Sequence, residues 1–178
     1  LKHSHPISNM LVNGKPYKTL WMSGSSVFMI EQNKLPFSFE IHECKTHKDT
    51  AHAIKTMIIR GAPAIGVSGA FGLALSTLQS KATTKEELIS DLEKAKKVLF
   101  ETRPTAVNLK WGLEKIMKVA NEGDNVNEIK ELVVKNAKKM AEEDVHTNMA
   151  MGKHGSELFN DNDTIMTHCN AGALATVA

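Results

Sequence analysis

Two arginines and one cysteine are the residues of this chain best suited to chemistry. Of its twenty-two basic residues, only Arg60 and Arg103 are arginine. Each stands beside a proline where one helical pattern gives way to another, in Arg60-Gly61-Ala62-Pro63 and in Arg103-Pro104-Thr105-Ala106-Val107-Asn108. Proline suits the first turn of a helix, where its missing N–H costs nothing. The free N–H groups at such a start, with the positive end of the helix dipole, attract anions. A guanidinium adds a planar, always-charged fork for a phosphate. Each arginine therefore has two readings: a grip on a phosphorylated small molecule, or a staple that holds a helix end through backbone carbonyls.

Cys169 is the third candidate. It follows Thr164-Ile165-Met166-Thr167-His168, which reads as a buried strand, and precedes a helix start rich in small residues. A thiol between a strand end and a helix N-terminus has its pKa lowered by the dipole and faces a cleft. An inert buried cysteine is the alternative. Cys44 falls at a strand end among polar residues and lacks that setting. No nucleophile elbow or partner spacing marks a hydrolase. His42, Cys44, His47 and His52 cluster in sequence, but no two share a helix face at i, i+4, so they are assigned structural or solvent roles rather than metal binding.

The elements that must carry these residues can be placed by periodicity. Residues 17–44 read as a small antiparallel sheet, with runs at Tyr17–Met22 and Val27–Ile30 and alternation at Phe37, Phe39 and Ile41. Gly24 and Asn33-Lys34-Leu35-Pro36 supply its turns. A helix capped by Asp49 or Thr50, with Ile54, Met57 and Ile58 on one face, runs to a stop at Gly61. A second, from Pro63 to Leu78, tolerates Gly66, Gly69 and Gly72 although each costs ~1 kcal/mol relative to alanine. Another backbone or a ligand must come close to it. Thr84-Lys85-Glu86-Glu87 is a capping box, and Leu88, Leu92, Ala95 and Leu99 follow as the apolar face of a third helix that ends near Thr102. A fourth begins at Pro104 or Thr105, buries Leu109, Leu113, Ile116, Met117 and Ala120, and stops at Gly123. A fifth spans 126 to about 158, with Ile129, Leu132, Val133, Met140, Val145 and Met149 as its stripe and a kink or close contact at Gly152 and Gly155.

The fold class expected is thus an α+β N-terminal domain, a small antiparallel sheet with a helical bundle over residues 1–160. It leads into the first βα unit of a Rossmann-like α/β domain over 163–178, after the turn Asn160-Asp161-Asn162-Asp163. The chain stops at Thr176-Val177-Ala178 just after that strand-to-helix signal, so the second domain is expected to be incomplete.

Composition narrows the classes further. The net charge of +2 gives no electrostatic footprint for nucleic acid or an anionic membrane. Two cysteines exclude a disulfide framework and suit a reducing, cytoplasmic setting. His3, His5 and Pro6 interrupt any signal-peptide core. The uncharged run from Gly61 to Gln79 is too short and too glycine-rich for a membrane span.

Three segments together resemble one known family. Ile59-Arg60-Gly61-Ala62-Pro63-Ala64-Ile65-Gly66, Arg103-Pro104-Thr105-Ala106-Val107-Asn108-Leu109 and Thr167-His168-Cys169-Asn170-Ala171-Gly172-Ala173-Leu174-Ala175-Thr176 are similar, in the same order, to the N-terminal signatures of the S-methyl-5-thioribose-1-phosphate isomerases. These belong to a superfamily that includes the regulatory subunits of translation initiation factor 2B. The resemblance implies an aldose–ketose isomerase of methionine salvage. It implies substrate binding by Arg60, Gly61, Ala62 and Arg103, catalysis by Cys169, no metal or organic cofactor, and a homodimer when full length. The family's catalytic aspartate lies in the later domain, so this chain alone is expected to be inactive. Two alternatives remain: an isomerase of 5-deoxyribose 1-phosphate or ribose 1,5-bisphosphate, and a non-catalytic subunit of the initiation-factor type.

Overall fold

The computed structural model describes residues 10–178; the reading of His3, His5 and Pro6 lies outside them. Two small antiparallel sheets come first. In the first, β1 (Met10–Val12) pairs with β2 (Lys15–Tyr17) across Asn13-Gly14, both residues at positive φ. That dipeptide is a strong two-residue hairpin signal, and the periodicity reading, which began at Tyr17, passed over it. In the second, β4 (Ser26–Ile30) lies between β3 (Leu20–Ser23) and β5 (Ile41–Cys44), and Gly24 turns the β3–β4 hairpin. The alternation at Phe37 and Phe39 does not make a strand: Phe37 is 94% exposed, and pairing starts only at Ile41. Both aromatics follow the Gln32–Lys34 turn, where the Phe37 and Ser38 N–H groups donate back to the Lys34 carbonyl instead of joining a ladder.

Helix α1 (His47–Lys55) is capped by Thr46, whose hydroxyl accepts from the Asp49 N–H while the Asp49 carboxylate accepts from the Thr46 N–H. Asp49 is therefore the third helical residue of a capping box rather than the cap itself. The helix also ends six residues before Gly61. Met57 takes a left-handed conformation (φ 62°), and the Met57 N–H closes on Ile54. That leaves Met57–Arg60 as an irregular link in which Ile58 and Ile59 are buried and Met57 is not.

Helix α2 (Ala62–Gln79) is the centre of the bundle, with every residue from Ala64 to Thr77 buried. A helix apolar all round must be surrounded, and α1, α3 (Lys85–Phe100), α4 (Val107–Glu122) and α5 (Val126–Ser156) surround it. Of the two explanations for its glycines, close packing is the one seen. A Cβ on Gly66 would stand 2.9 Å from the Asn108 carbonyl oxygen, and one on Gly112 would strike the Gly66 carbonyl. The α2 and α4 backbones thus meet where neither carries a side chain.

The α3 capping box forms as read, and Leu88, Leu92, Ala95 and Leu99 are its buried residues. Helix α4 begins later than Pro104 or Thr105. Arg103–Ala106 closes a turn, with the Ala106 N–H donating to the Arg103 carbonyl at 3.0 Å and Pro104 at the turn's second position. In α5 the stripe is buried at Ile129, Val133, Ala137 and Met140, but Met149 is 44% exposed. Gly152 and Gly155 stand in open space within the continuous helix, so neither marks a close contact.

Thr164–His168 forms no ladder and is exposed throughout. A parallel strand needs a neighbour to satisfy its N–H and C=O groups. No such neighbour is present among the described residues. The turn at Asn160–Asp163 is formed, the Asp163 carboxylate accepting from the Asn160 N–H at 2.7 Å.

Candidate functional site

Gly61 is the N-cap of α2 at φ 98°, a conformation that glycine adopts without steric cost. No side chain caps this helix start, Pro63 lies in its first turn, and Ala62 is exposed. Of the first-turn amides, that of exposed Ala62 has no capping side chain, Pro63 has no N–H, and Ala64 is buried. Arg60, half-buried beside them, donates from Nη2 to the Gln32 carbonyl at 3.0 Å. One nitrogen thus staples the loop, and the guanidinium has further donors to offer.

Arg103 lies in the α3–α4 turn and is half-buried. Its carbonyl accepts from the N–H of Ala106, the N-cap of α4, and α4, too, has no side-chain cap. The starts of α2 and α4 come together at Gly66 and Asn108. Beside them is a cleft of about 330 Å³, lined among others by Pro63, Asn108, Trp111, Glu143 and Asp144.

The last residues of the chain close over this region. A short 3-10 turn, Ala173–Ala175, brings the Ala175 backbone against Gly61, and Ala175 and Val177 are buried. The segment is held by four hydrogen bonds. The Thr19 hydroxyl donates to Ala173 O at 2.6 Å, Gln32 Nε2 donates to Leu174 O at 2.8 Å, the Thr19 N–H donates to Val177 O at 2.9 Å, and the Val177 N–H donates to Asp144 Oδ2 at 2.8 Å. Burial pushes the Asp144 carboxyl above its usual range, against the opposing pull of the Val177 N–H and Asn148.

Cys169 is exposed, at φ 63°, in the irregular stretch between His168 and the 3-10 turn. It has neither the preceding strand nor an adjoining α-helix start, and no hydrogen bond among the described residues links it to Arg60 or Arg103. The other thiol differs from the reading too. Cys44 ends β5 but is wholly buried, and burial pushes it up to about 12 although the Thr50 hydroxyl bonds to it. Gly61 and the chain's end are thus brought together, and no hydrogen bond among the described residues joins Arg103 or Cys169 to them. Thr19, Gln32 and Asp144 were missed by sequence reasoning. They are isolated polar residues in unremarked positions, and no motif signals them.

His42 Nε2 and His47 Nδ1 are buried without partners, and burial lowers the His47 pKa. No three His, Cys, Asp or Glu side chains among the described residues converge as a metal would require. No helix there is long and apolar enough to cross a membrane.

Fold and site define a class, an α+β protein in which a buried glycine-rich helix presents an uncapped N-terminus beside an arginine. The family model that matches, over residues 58–178, is described as the initiation factor 2 subunit family, and the chain belongs to that family. It is 49% identical over 160 residues to the methylthioribose-1-phosphate isomerase of Thermotoga neapolitana, covering 90% of this chain and 46% of that protein. The crystal structure of 5-methylthioribose 1-phosphate isomerase from Pyrococcus horikoshii superposes with a TM-score of 0.84 at 48% identity, over 90% of this chain and 45% of that one. A structure described as translation initiation factor eIF-2B, subunit delta, from A. fulgidus superposes at 0.81 with 43% identity, over 90% and 47%. The chain therefore spans just under half the length of the relatives it matches.

Proposed function

We propose that this chain is part of an aldose–ketose isomerase that converts 5-methylthioribose 1-phosphate to 5-methylthioribulose 1-phosphate, in methionine salvage. The observation that carries the reading is 49% identity, over 160 residues, to a relative named for that reaction. The uncapped α2 start beside Arg60 supports it, because phosphate is the part of such a substrate that an uncapped amide and an arginine would hold.

In this reading the Ala62 amide and the Arg60 guanidinium bind the phosphate, with Gly61 letting the backbone approach. Arg103 adds charge from the α3–α4 turn. Phosphate on the anomeric oxygen blocks spontaneous ring opening, so an acid must protonate the ring oxygen. That acid is assigned to the part of the relatives that this chain does not span. Hydrogen then moves from C2 to C1, either with the Cys169 thiolate as base at C2 and an enediol-type intermediate, or as hydride in a water-poor pocket. Solvent deuterium at C1 of the product marks the base route. For Cys169 to act, its exposed loop must be covered by further structure, which we assign to a Rossmann-like domain beginning near residue 163. The same proposal includes a cytoplasmic homodimer whose subunits associate through that domain.

The test is Cys169→Ala in the intact protein, which should lower kcat by at least about 100-fold with the fold intact. Turnover retained near the wild-type level would remove the catalytic assignment. The resemblance to a structure described as an initiation-factor subunit favours a second reading, a regulatory subunit that binds a sugar phosphate or nucleotide without chemistry. Binding of the sugar phosphate with no turnover by the wild type would select it.

A further inference from the structure

The family match begins at residue 58, yet two of the side chains that hold the Ala173–Val177 segment lie before it, at Thr19 and Gln32. We infer that Thr19 and Gln32 are positioning residues, which set the segment following Cys169 against the Arg60–Gly61 turn. The inference rests on the isomerase reading for its effect on turnover and on geometry for its placement.

Both side chains are buried, Thr19 at 0% and Gln32 at 3% exposure. A buried hydroxyl or amide costs stability unless it is paired, and here each is paired with a backbone carbonyl of the segment, Ala173 and Leu174 in turn. The pairing is thus to the course of the chain rather than to its side chains.

Gln32 couples the two halves of the candidate site. Its backbone N–H donates to Ile58 O at 3.1 Å and its carbonyl accepts from Arg60, so its main chain is fastened to the residues leading into the α2 start. Its side chain meanwhile reaches Leu174. Thr19 does the same from the position just before β3. Its carbonyl accepts from the Ile30 N–H at 2.9 Å, its N–H donates to Val177, and its hydroxyl donates to Ala173. The residue before β3 and the turn after β4 therefore fasten the Ala173–Val177 segment, which follows Cys169, to the residues that lead into the α2 start. Asp144 closes the segment from the other side, on α5. A shift of about 1 Å in such an alignment can cost about 100-fold in rate without loss of binding.

The variants are Gln32→Met and Thr19→Val, which keep size and lose the donor, and Thr19→Ser, which keeps the hydroxyl. They are made in the intact protein and read in two ways. Amide hydrogen exchange of residues 173–177 should quicken by about 10-fold or more in the first two and stay near wild type in Thr19→Ser. The kcat for isomerisation should fall by about 10-fold or more in the same two, with KM changed by less than about 3-fold, and recover in Thr19→Ser. Exchange unchanged in Gln32→Met and Thr19→Val overturns the inference. So does quickened exchange with kcat unaltered, or a kcat loss that Thr19→Ser does not recover. A wild type without isomerisation defeats the activity reading and the effect on turnover with it, while the exchange result alone still decides the placement of the segment.

Discussion

Gly61 and Ala175 meet backbone to backbone: a Cβ built on Gly61 would collide with the Cα and carbonyl of Ala175. Gly61 also sits at φ 98°, where a side chain is strained whatever the space around it. Gly61→Ala should therefore lose about 2–5 kcal/mol, from the strained conformation and the displaced neighbour together. Urea unfolding measures it, and a loss below about 0.5 kcal/mol would show that the segment does not rest there.

Gly112 and Gly152 should respond in opposite directions to the same change. At Gly112 an added methyl meets the Gly66 carbonyl, so Gly112→Ala has to part α2 from α4 and should cost about 1–3 kcal/mol. At Gly152 nothing lies within 4 Å, so Gly152→Ala should stabilise by about 0.5–1 kcal/mol through helix propensity. Thermal melts of the two variants decide it, since both shifting downward would contradict the open setting of Gly152.

The two thiols should separate cleanly in an alkylation experiment. Cys44 is fully buried and held at about 12, so almost none of it is thiolate at neutral pH. Cys169 is exposed. Iodoacetamide at pH 7.5 should modify Cys169 at least about 100-fold faster, as read by peptide mass mapping. Comparable labelling in the native protein would mean that β5 is not packed as described.

Asp144 makes a pH prediction with an unusual sign for a carboxylate. Its pKa is raised from 3.8 by burial, so the folded chain holds this proton more tightly than the unfolded one. Between 3.8 and the raised value the folded state carries more protons. The Asp144 contribution to stability therefore falls as pH rises through that window and stays reduced above it. Asp49, Glu87 and Asp91 shift downward and contribute the opposite slope. The difference between wild type and Asp144→Asn isolates the effect. The variant's amide oxygen can still accept from the Val177 N–H, so its stability relative to wild type should rise from pH 3.5 to 7 in urea midpoints. A difference that is flat with pH would show that Asp144 is not desolvated.

Much of the bundle could be read in advance because its determinants are local. The Thr84–Glu87 capping box and the Leu88, Leu92, Ala95, Leu99 spacing are properties of sixteen consecutive residues, and the structure reproduces them. The errors fall where a neighbour decides. Phe37 and Phe39 alternate like a strand but have no ladder to join, and Thr164–His168 likewise has the composition of a strand without a partner. The Met57 turn ended α1 early because the following link had to bury Ile58 and Ile59.

The sequence by itself determined the helices, the glycine-rich centre and the two arginine–proline junctions, since caps, periodicity and proline act within a few residues of themselves. Only the tertiary structure decided that Thr19, Gln32 and Asp144 grip the end of the chain beside Gly61. Those contacts join residues 154, 142 and 33 positions apart. A single hydroxyl, amide or carboxylate carries no mark of a partner so distant, because the bond exists only after the helices and the sheet have packed.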